Sequence, residues 1–446
     1  MLSTHPTLPS IGIDFGTTNS SIALAREGGV VELVSFPTAT GATESFRSVL
    51  YLEQLKHAGR TQIKGFTGPA AIEHYLRAEH KGRLIQSLKS YLTSRTLTGT
   101  EVFGRRYIVE DLISRILTDL RLNAERQFDR PVRHATVGRP VRFVGAENED
   151  DDAFAVERLR QAFVRAGFES VAFEMEPIAA AYSYESTLDH DELILIGDFG
   201  GGTSDFSLLH VGPVRGRGRT AEDLLGNSGL GLAGDSFDAR IVRKLVSPAL
   251  GSDSFERSYA QAADRPASII PAVPAWIYAN LERWHYLSFL KTRNVAEILK
   301  SARARAQEPE KIEALVNLVE EDLGYQLHQA VQRLKIDLSH KELAEFRFRD
   351  GSMDIVAQVS RMEFEGWISD DLRSIERCVD SLLADSNIAA RQVDRVFLTG
   401  GTSFVPAVRR IFEARFGADR VRTGNEFTSV ARGLALRAAE MEAQRL

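Results

Sequence analysis

The sequence predicts an α/β protein of two lobes. Three observations carry that prediction: a strand–turn–strand unit at the start, "IGIDFGTTNS" running into "SSIALARE", a second unit of the same plan at residues 192–211, and helical periodicity between apolar strands. Length agrees, because 446 residues exceed what one ordinary core holds.

The opening strand, residues 11–15, is apolar apart from Asp14 and runs into Gly16, Thr17, Thr18 and Asn19, a turn of small residues before its hairpin partner. Leu112, Ile113, Ile116, Leu117 and Leu120 recur on one helical face ahead of a strand in "HATVGRPVRF". The acidic tract "GAENEDDDAF" reads as a solvated loop before a helix that begins near Ala153. Glu176-Pro177 opens the next helix, where proline needs no amide donor. The second unit, "ELILIGDFGGGTSDFSLLHV", places Asp198 and Phe199 ahead of Gly200, Gly201, Gly202 and Thr203. Its Asp198 lies 198 − 14 = 184 residues after Asp14, which suggests a duplicated plan with one copy per lobe. Residues 253–330 predict a peripheral subdomain with a helical run from about Ala296. "VDRVFLTGG" then gives a strand that turns at Gly400 and Gly401 into a helix carrying Val408, Ile411, Phe412 and Phe416, ended by Gly417.

Composition narrows the function classes. Hydrophobic residues at 43% and charged residues at 26% suit a globular chain. A net charge of −6 argues against a broad nucleic-acid-binding face, which needs excess Lys and Arg. The local exception, "RGRGR" at residues 215–219, reads as an RNA-binding tract or as a flexible hairpin tip. The single cysteine, Cys378, allows no internal disulfide and suits a reducing compartment, so a cytoplasmic location is expected. The first ten residues lack the features of a signal peptide, and no apolar run approaches the ~20 residues that span a bilayer, so no membrane partner is expected.

The two glycine turns point to phosphate. Small residues let successive backbone N–H groups converge on one concavity, and Thr17, Thr18 and Thr203 add hydroxyl donors without filling it. Two carboxylates facing a polyphosphate repel it unless a divalent cation intervenes, and Mg²⁺ keeps most of its waters, so Asp14 and Asp198 would hold it through water. Taken singly, each turn also reads as an ordinary strand-ending turn; two at matching junctions favour the phosphate reading.

These residues resemble the heat-shock chaperones of the DnaK type, within the superfamily that includes actin and the sugar kinases. "IGIDFGTTNS" is similar to their first phosphate loop, "GDFGGGTSDFS" to the second, "EMEPIAAAYSY" to the connecting helix, "LAGDSFD" to a segment after the second loop, and "FLTGGTSFVP" to the adenosine loop. "IQSLKSYL", "GRPVRF", "AQEPEK" and "LKIDLSH" most resemble the short YegD-type members, which have the nucleotide-binding core alone. The resemblance implies an actin-like ATPase fold: two lobes, each with a duplicated ribonuclease-H-like core, around a central nucleotide cleft. Lobe I would comprise residues 10–192 completed by 425–446, and lobe II residues 193–424, with the peripheral subdomain at about 235–337.

The resemblance also implies a site for ATP or ADP with Mg²⁺. Lys89 matches the lysine that reaches the γ-phosphate, Glu176 a carboxylate near the attacking water, and Asp198 and Asp205 the second-loop carboxylates around Mg²⁺ and water. Lys89, Glu176, Asp198 and Thr203 make the catalytic set, and Asp14, Asp198 and Asp205 the metal set. On the adenosine side Lys335 and Ser339 match positions that meet ribose and adenine, while Gln332 stands where the family has glutamate and Phe404 replaces a stacking arginine. The acidic tract after Pro140 does not match the family's relay to the lobe surface, and the chain stops at Leu446 without the family's linker and peptide-binding domain, so a core without its own client groove is expected. The expected function is slow Mg²⁺-dependent ATP hydrolysis in a chaperone-like core, with any protein partner or co-chaperone unidentified. The alternatives are a nucleotide-sensing scaffold without turnover, a small-molecule kinase, and an actin-like filament protein.

Overall fold

Ser10–Phe15 forms the opening strand and Asn19–Ala25 its antiparallel partner, with Asp14 opposite Ser21 and Phe15 opposite Ser20. Ile11, Ile13 and Phe15 are buried, as are Ile22, Ala23 and Leu24 across from them. Both faces of the hairpin are covered, so it reads as a nearly continuous apolar run rather than an alternation. The structure, a computed structural model, describes residues 10–38, 41–57, 60–78, 82–97, 99–185, 188–213, 223–257, 270–282, 290–350, 353–423 and 429–443. The "RGRGR" tract lies outside the described residues, as does part of the region 253–330.

The hairpin occupies the middle of a sheet. Val31–Leu33 extends it antiparallel on one side; His134–Arg139 and then Ser170–Met175 extend it in parallel on the other. The second hairpin, Glu192–Phe199 with Ser204–Val211, lies in another sheet of the same design. Leu224–Leu230 joins it antiparallel, and Arg395–Thr399 and Val421–Thr423 join in parallel. In each sheet three strands form an antiparallel meander while a fourth and fifth add in parallel beside the first. The similarity of two short motifs thus extends to the strand order of two whole sheets.

Both sheets belong to one compact unit, Met1–Ala233 with Ile375–Ser403 and Arg409–Leu446; Gly234–Ser374 with Phe404–Val408 form a second. In the first unit, helix Val109–Phe128 buries the face predicted by its apolar spacing, Leu112 to Leu120. Helix Ser429–Ala443 packs on the opening strand and on helix Glu176–Glu185. The approach is backbone to backbone: a Cβ on Gly12 would stand 2.3 Å from the Ala435 amide nitrogen, and one on Gly433 1.6 Å from the Ala179 carbonyl oxygen.

Two expected elements differ in extent. The helix expected from Ala153 begins four residues earlier, as Glu149–Arg165, with the Asn148 side chain accepting from the Asp151 amide. Its first turn is Glu149, Asp150, Asp151 and Asp152, carboxylates favoured by the positive end of the helix dipole. The acidic tract is thus a helix start and not only a loop. The helical run expected from Ala296 is three helices, Arg293–Arg305, Pro309–Glu320 and Gly324–His340. Thr292 caps the first, and Pro309, which cannot continue a helix that precedes it, opens the second.

In the second unit, helix Gly324–His340 buries Leu327, Val331, Leu334 and Leu338 and packs against a hairpin of Leu343–Asp350 and Met353–Ser360, whose inward Phe346 and Phe348 are buried. No helix among the described residues is long and apolar enough to cross a membrane.

Candidate functional site

The site builds from the ends of the two hairpins. Asp14 and Asp198 each stand one residue before the end of a buried strand, and the register sets Asp198 directly opposite Asp205. Like charges facing across a strand pair are unfavourable, so this placement needs a compensating cation. Burial, reinforced by Asp198 and Glu176, pushes Asp205 up to about 7, against the Thr203 hydroxyl bond and Lys89. Burial and then Glu176, with Asp198 adding to them, push Asp14 up to about 8, although Lys89 opposes this. Asp198 is raised too, by burial and Glu176, and a 2.7 Å hydrogen bond from the Thr399 hydroxyl partly offsets that.

Lys89 is the cation that acts on all three, and it lowers them less than burial raises them. It rises from a single 3₁₀ turn, Leu88–Tyr91, entered through Ser87 in the left-handed region at φ 54°. Its ammonium donates to Glu176 at 2.7 Å, and the two side chains are 8% and 14% exposed. Glu176 is the first residue of its helix, where the dipole favours a carboxylate. The predicted residues Asp14, Lys89, Glu176, Asp198 and Asp205 therefore share one electrostatic cluster, with four carboxylates and one lysine.

The turns are closed by their glycines. A Cβ on Gly16 would lie 2.2 Å from the Asn19 carbonyl oxygen, and the Gly200 amide donates to the Thr203 carbonyl at 2.9 Å. Gly201 and Gly202 are partly exposed, as are Thr17 and Thr18, whose backbone is tied by the Ser48 amide donating to the Thr18 carbonyl. Gly400 has φ +84°, and a Cβ there would stand 1.9 Å from the Phe199 carbonyl oxygen, so the third glycine turn packs on the second hairpin. Gly401 starts a short 3₁₀ turn ahead of helix Pro406–Phe416.

Other predicted residues fall in the second unit. The Lys335 ammonium is 2.6 Å from Asp238 and donates to the Gly234 carbonyl, which ties helix Gly324–His340 to helix Gly234–Ile241. Ser339 donates to the Lys335 carbonyl, Gln332 is partly exposed, and Phe404 is 47% exposed.

Three further residues at the cluster carry little signal in the sequence. Thr399 bonds Asp198; its signal was its place directly before Gly400 at a strand end. A Cβ on Gly138 would stand 3.0 Å from Glu176 Cγ, and one on Gly229 2.6 Å from Asp205 Oδ1, so both glycines leave room for carboxylates. Nothing local in the sequence marks these two.

Oxygen donors in excess of positive charge suit a hard divalent cation. Among the described residues there is no group of three or more His, Cys, Asp or Glu side chains that could hold a metal ion.

A sequence model of the family described as "Hsp70 protein" matches residues 61–262 and 299–445. The chain belongs to the Hsp70 family. Among its relatives are the chaperone protein DnaK of Thermosipho africanus (strain TCF52B), 25% identical over 431 residues, and that of Thermotoga maritima (strain ATCC 43589 / DSM 3109 / JCM 10099 / NBRC 100826 / MSB8), also 25% identical over 431. The aligned regions cover 96% of this chain and 58% and 59% of those relatives. This Hsp70 family member therefore spans under two thirds of their length. The family has the actin-like ATPase fold, in keeping with the mixed α/β sheets described above.

Proposed function

We propose that this Hsp70 family member binds ATP with Mg²⁺ at the two hairpin turns and slowly hydrolyses it to ADP and phosphate, as the chaperone-like ATPase core of a YegD-type protein of the cytoplasm. The observation that carries the proposal is the convergence of Asp14, Glu176, Asp198 and Asp205 on one lysine, Lys89. The lobes would be residues 10–192 with 425–446, and residues 193–424.

In this reading the amides and hydroxyls around Gly16–Asn19 and Gly200–Thr203 hold phosphate oxygens. When bound, Mg²⁺ supplies the positive charge that lets the Asp14, Asp198 and Asp205 carboxylates and a triphosphate share the site. Glu176 orients a water in line with the γ-phosphorus; water oxygen bonds to phosphorus, the bond to the β-phosphate oxygen breaks, and the water's proton passes to Asp198 or Glu176. Lys89 neutralises charge on the transferring group, a role suited to a compact ammonium held by one carboxylate. Gly400 and Gly401 would face the adenosine.

The test is Mg²⁺-dependent phosphate release with calorimetry of ATP binding. Wild type should turn over, and Lys89→Ala and Asp198→Asn should lose turnover by about 10²-fold or more. Release that survives both substitutions unchanged rules the assignment out. A nucleotide-sensing scaffold is the second reading, favoured by the closed Lys89–Glu176 pair, which already engages the Lys89 ammonium. Tight binding without multiple turnover would select it.

A further inference from the structure

The Lys89 turn has little to hold it in place by itself. Four residues of 3₁₀ helix make too short a run for intrinsic stability, and the entry through Ser87 puts a non-glycine residue in the left-handed region. Its exit carbonyls lie where Leu88 and Leu92 are buried, and no further helical turn follows beyond the Ser94 amide that donates to the Tyr91 carbonyl. Lys89 itself carries a long flexible stem, so the height of its ammonium depends on where this backbone sits.

One buried side chain from a distant helix meets those carbonyls. Arg158, on helix Glu149–Arg165, has a terminal nitrogen 3.1 Å from the carbonyl oxygens of Tyr91, Leu92 and Ser94. Its Nε donates to Glu110 on helix Val109–Phe128, and both side chains are 8% exposed. The Leu92 amide in turn donates to the Lys89 carbonyl, so the clamped residue is bonded directly to the Lys89 backbone. Thr93 adds a bond to the Val144 carbonyl. A pair serving only the core would need Glu110 and Arg158 and nothing else; here a second guanidinium nitrogen, Nη1, is aimed at the one segment that carries the lysine.

We propose that Arg158 is a positioning residue for Lys89: anchored by Glu110, it clamps the end of the Lys89 turn and thereby sets the ammonium against Glu176. The inference rests on the reading of Lys89 as the cation that faces the transferring phosphate. Displacements of about 1 Å at a reacting group cost up to ~10²-fold in rate, so the clamp matters to turnover without touching substrate.

Four variants of the full chain test it through three readouts: Arg158→Met, the paired Glu110→Met/Arg158→Met variant that leaves no lone buried charge, and each of these with Lys89→Ala. In the nucleotide-free protein, amides 88–94 should lose hydrogen-exchange protection by about tenfold in both Arg158 variants while those of residues 11–15 and 134–139 keep theirs. Acylation of Lys89, followed by mass spectrometry against the other lysines, should rise several-fold. The turnover number should fall about tenfold or more in the Lys89 background, with the ATP dissociation constant within about threefold, and fall no further where Lys89 is already alanine. Unchanged Lys89 labelling, protection lost evenly through the core, or an equal loss of turnover with Lys89→Ala would each overturn the proposal. A wild type without turnover would defeat the ATPase reading alone, since exchange and labelling still decide the positioning.

Discussion

The metal-free protein should lose stability as pH rises from 5 to 7.5, opposite to the trend expected of a chain whose carboxylates are paired. Asp14 and Asp205 ionise at an ordinary 3.8 when unfolded but at about 8 and about 7 in the folded chain. Between those values the folded state keeps protons that the unfolded state has released, so the number bound on unfolding falls and stability declines with pH. One fully retained proton corresponds to roughly 1.4 kcal/mol per pH unit. Because the two groups share one field, the pair should cost on the order of 2–4 kcal/mol across the interval. Glu32 and Glu110, held below their ordinary values, act at lower pH and do not mask the trend. The assay is urea unfolding at fixed ionic strength in the presence of a chelator, for wild type, Asp14→Asn and Asp205→Asn. Each substitution should flatten the slope and stabilise the protein at pH 7.5, and added Mg²⁺ should flatten it in wild type. A wild-type midpoint that holds steady or climbs between pH 5 and 7.5 refutes the electrostatic account of the cluster.

Gly433→Ala places a methyl 1.6 Å from the Ala179 carbonyl oxygen, backbone that cannot yield, and should cost about 3 kcal/mol or more, read by thermal unfolding. Gly229→Ala presses on the Asp205 carboxylate at 2.6 Å; phosphate release should fall about tenfold while the unfolding midpoint moves little, because the neighbour is a side chain that can swing. Burial raises the Glu110 carboxyl, but the Arg158 hydrogen bond and charge outweigh that and hold it below its ordinary value. Its contribution to stability is present above that ordinary value and is lost as pH falls through the folded one; Glu110→Gln should remove that acid dependence and cost about 3–5 kcal/mol at neutral pH, measured by urea titration.

The parts of the site legible in the sequence are those whose signal is local. A buried strand that ends on aspartate and glycine shows itself within ten residues, and the matching pair at Asp14 and Asp198 announced the repeated sheets. The Val109–Phe128 face followed from its apolar spacing. Less legible was the start of helix Glu149–Arg165, since four acidic residues look alike as a solvated loop and as a first turn favoured by the dipole. Lys89 is legible only through resemblance, because its partner Glu176 lies 87 positions away.

The sequence by itself determined the alternation of strands and helices, the two glycine turns and the identity of the acidic groups, because backbone preference and side-chain period are properties of neighbours along the chain. Only the tertiary structure decided that Thr399 would steady Asp198 across 201 positions, that Gly138 and Gly229 would make room for carboxylates, and that Arg158 would close the Lys89 turn. Those outcomes depend on which groups share a buried volume, where desolvation makes each charge and each missing methyl count, and no spacing along the chain encodes that.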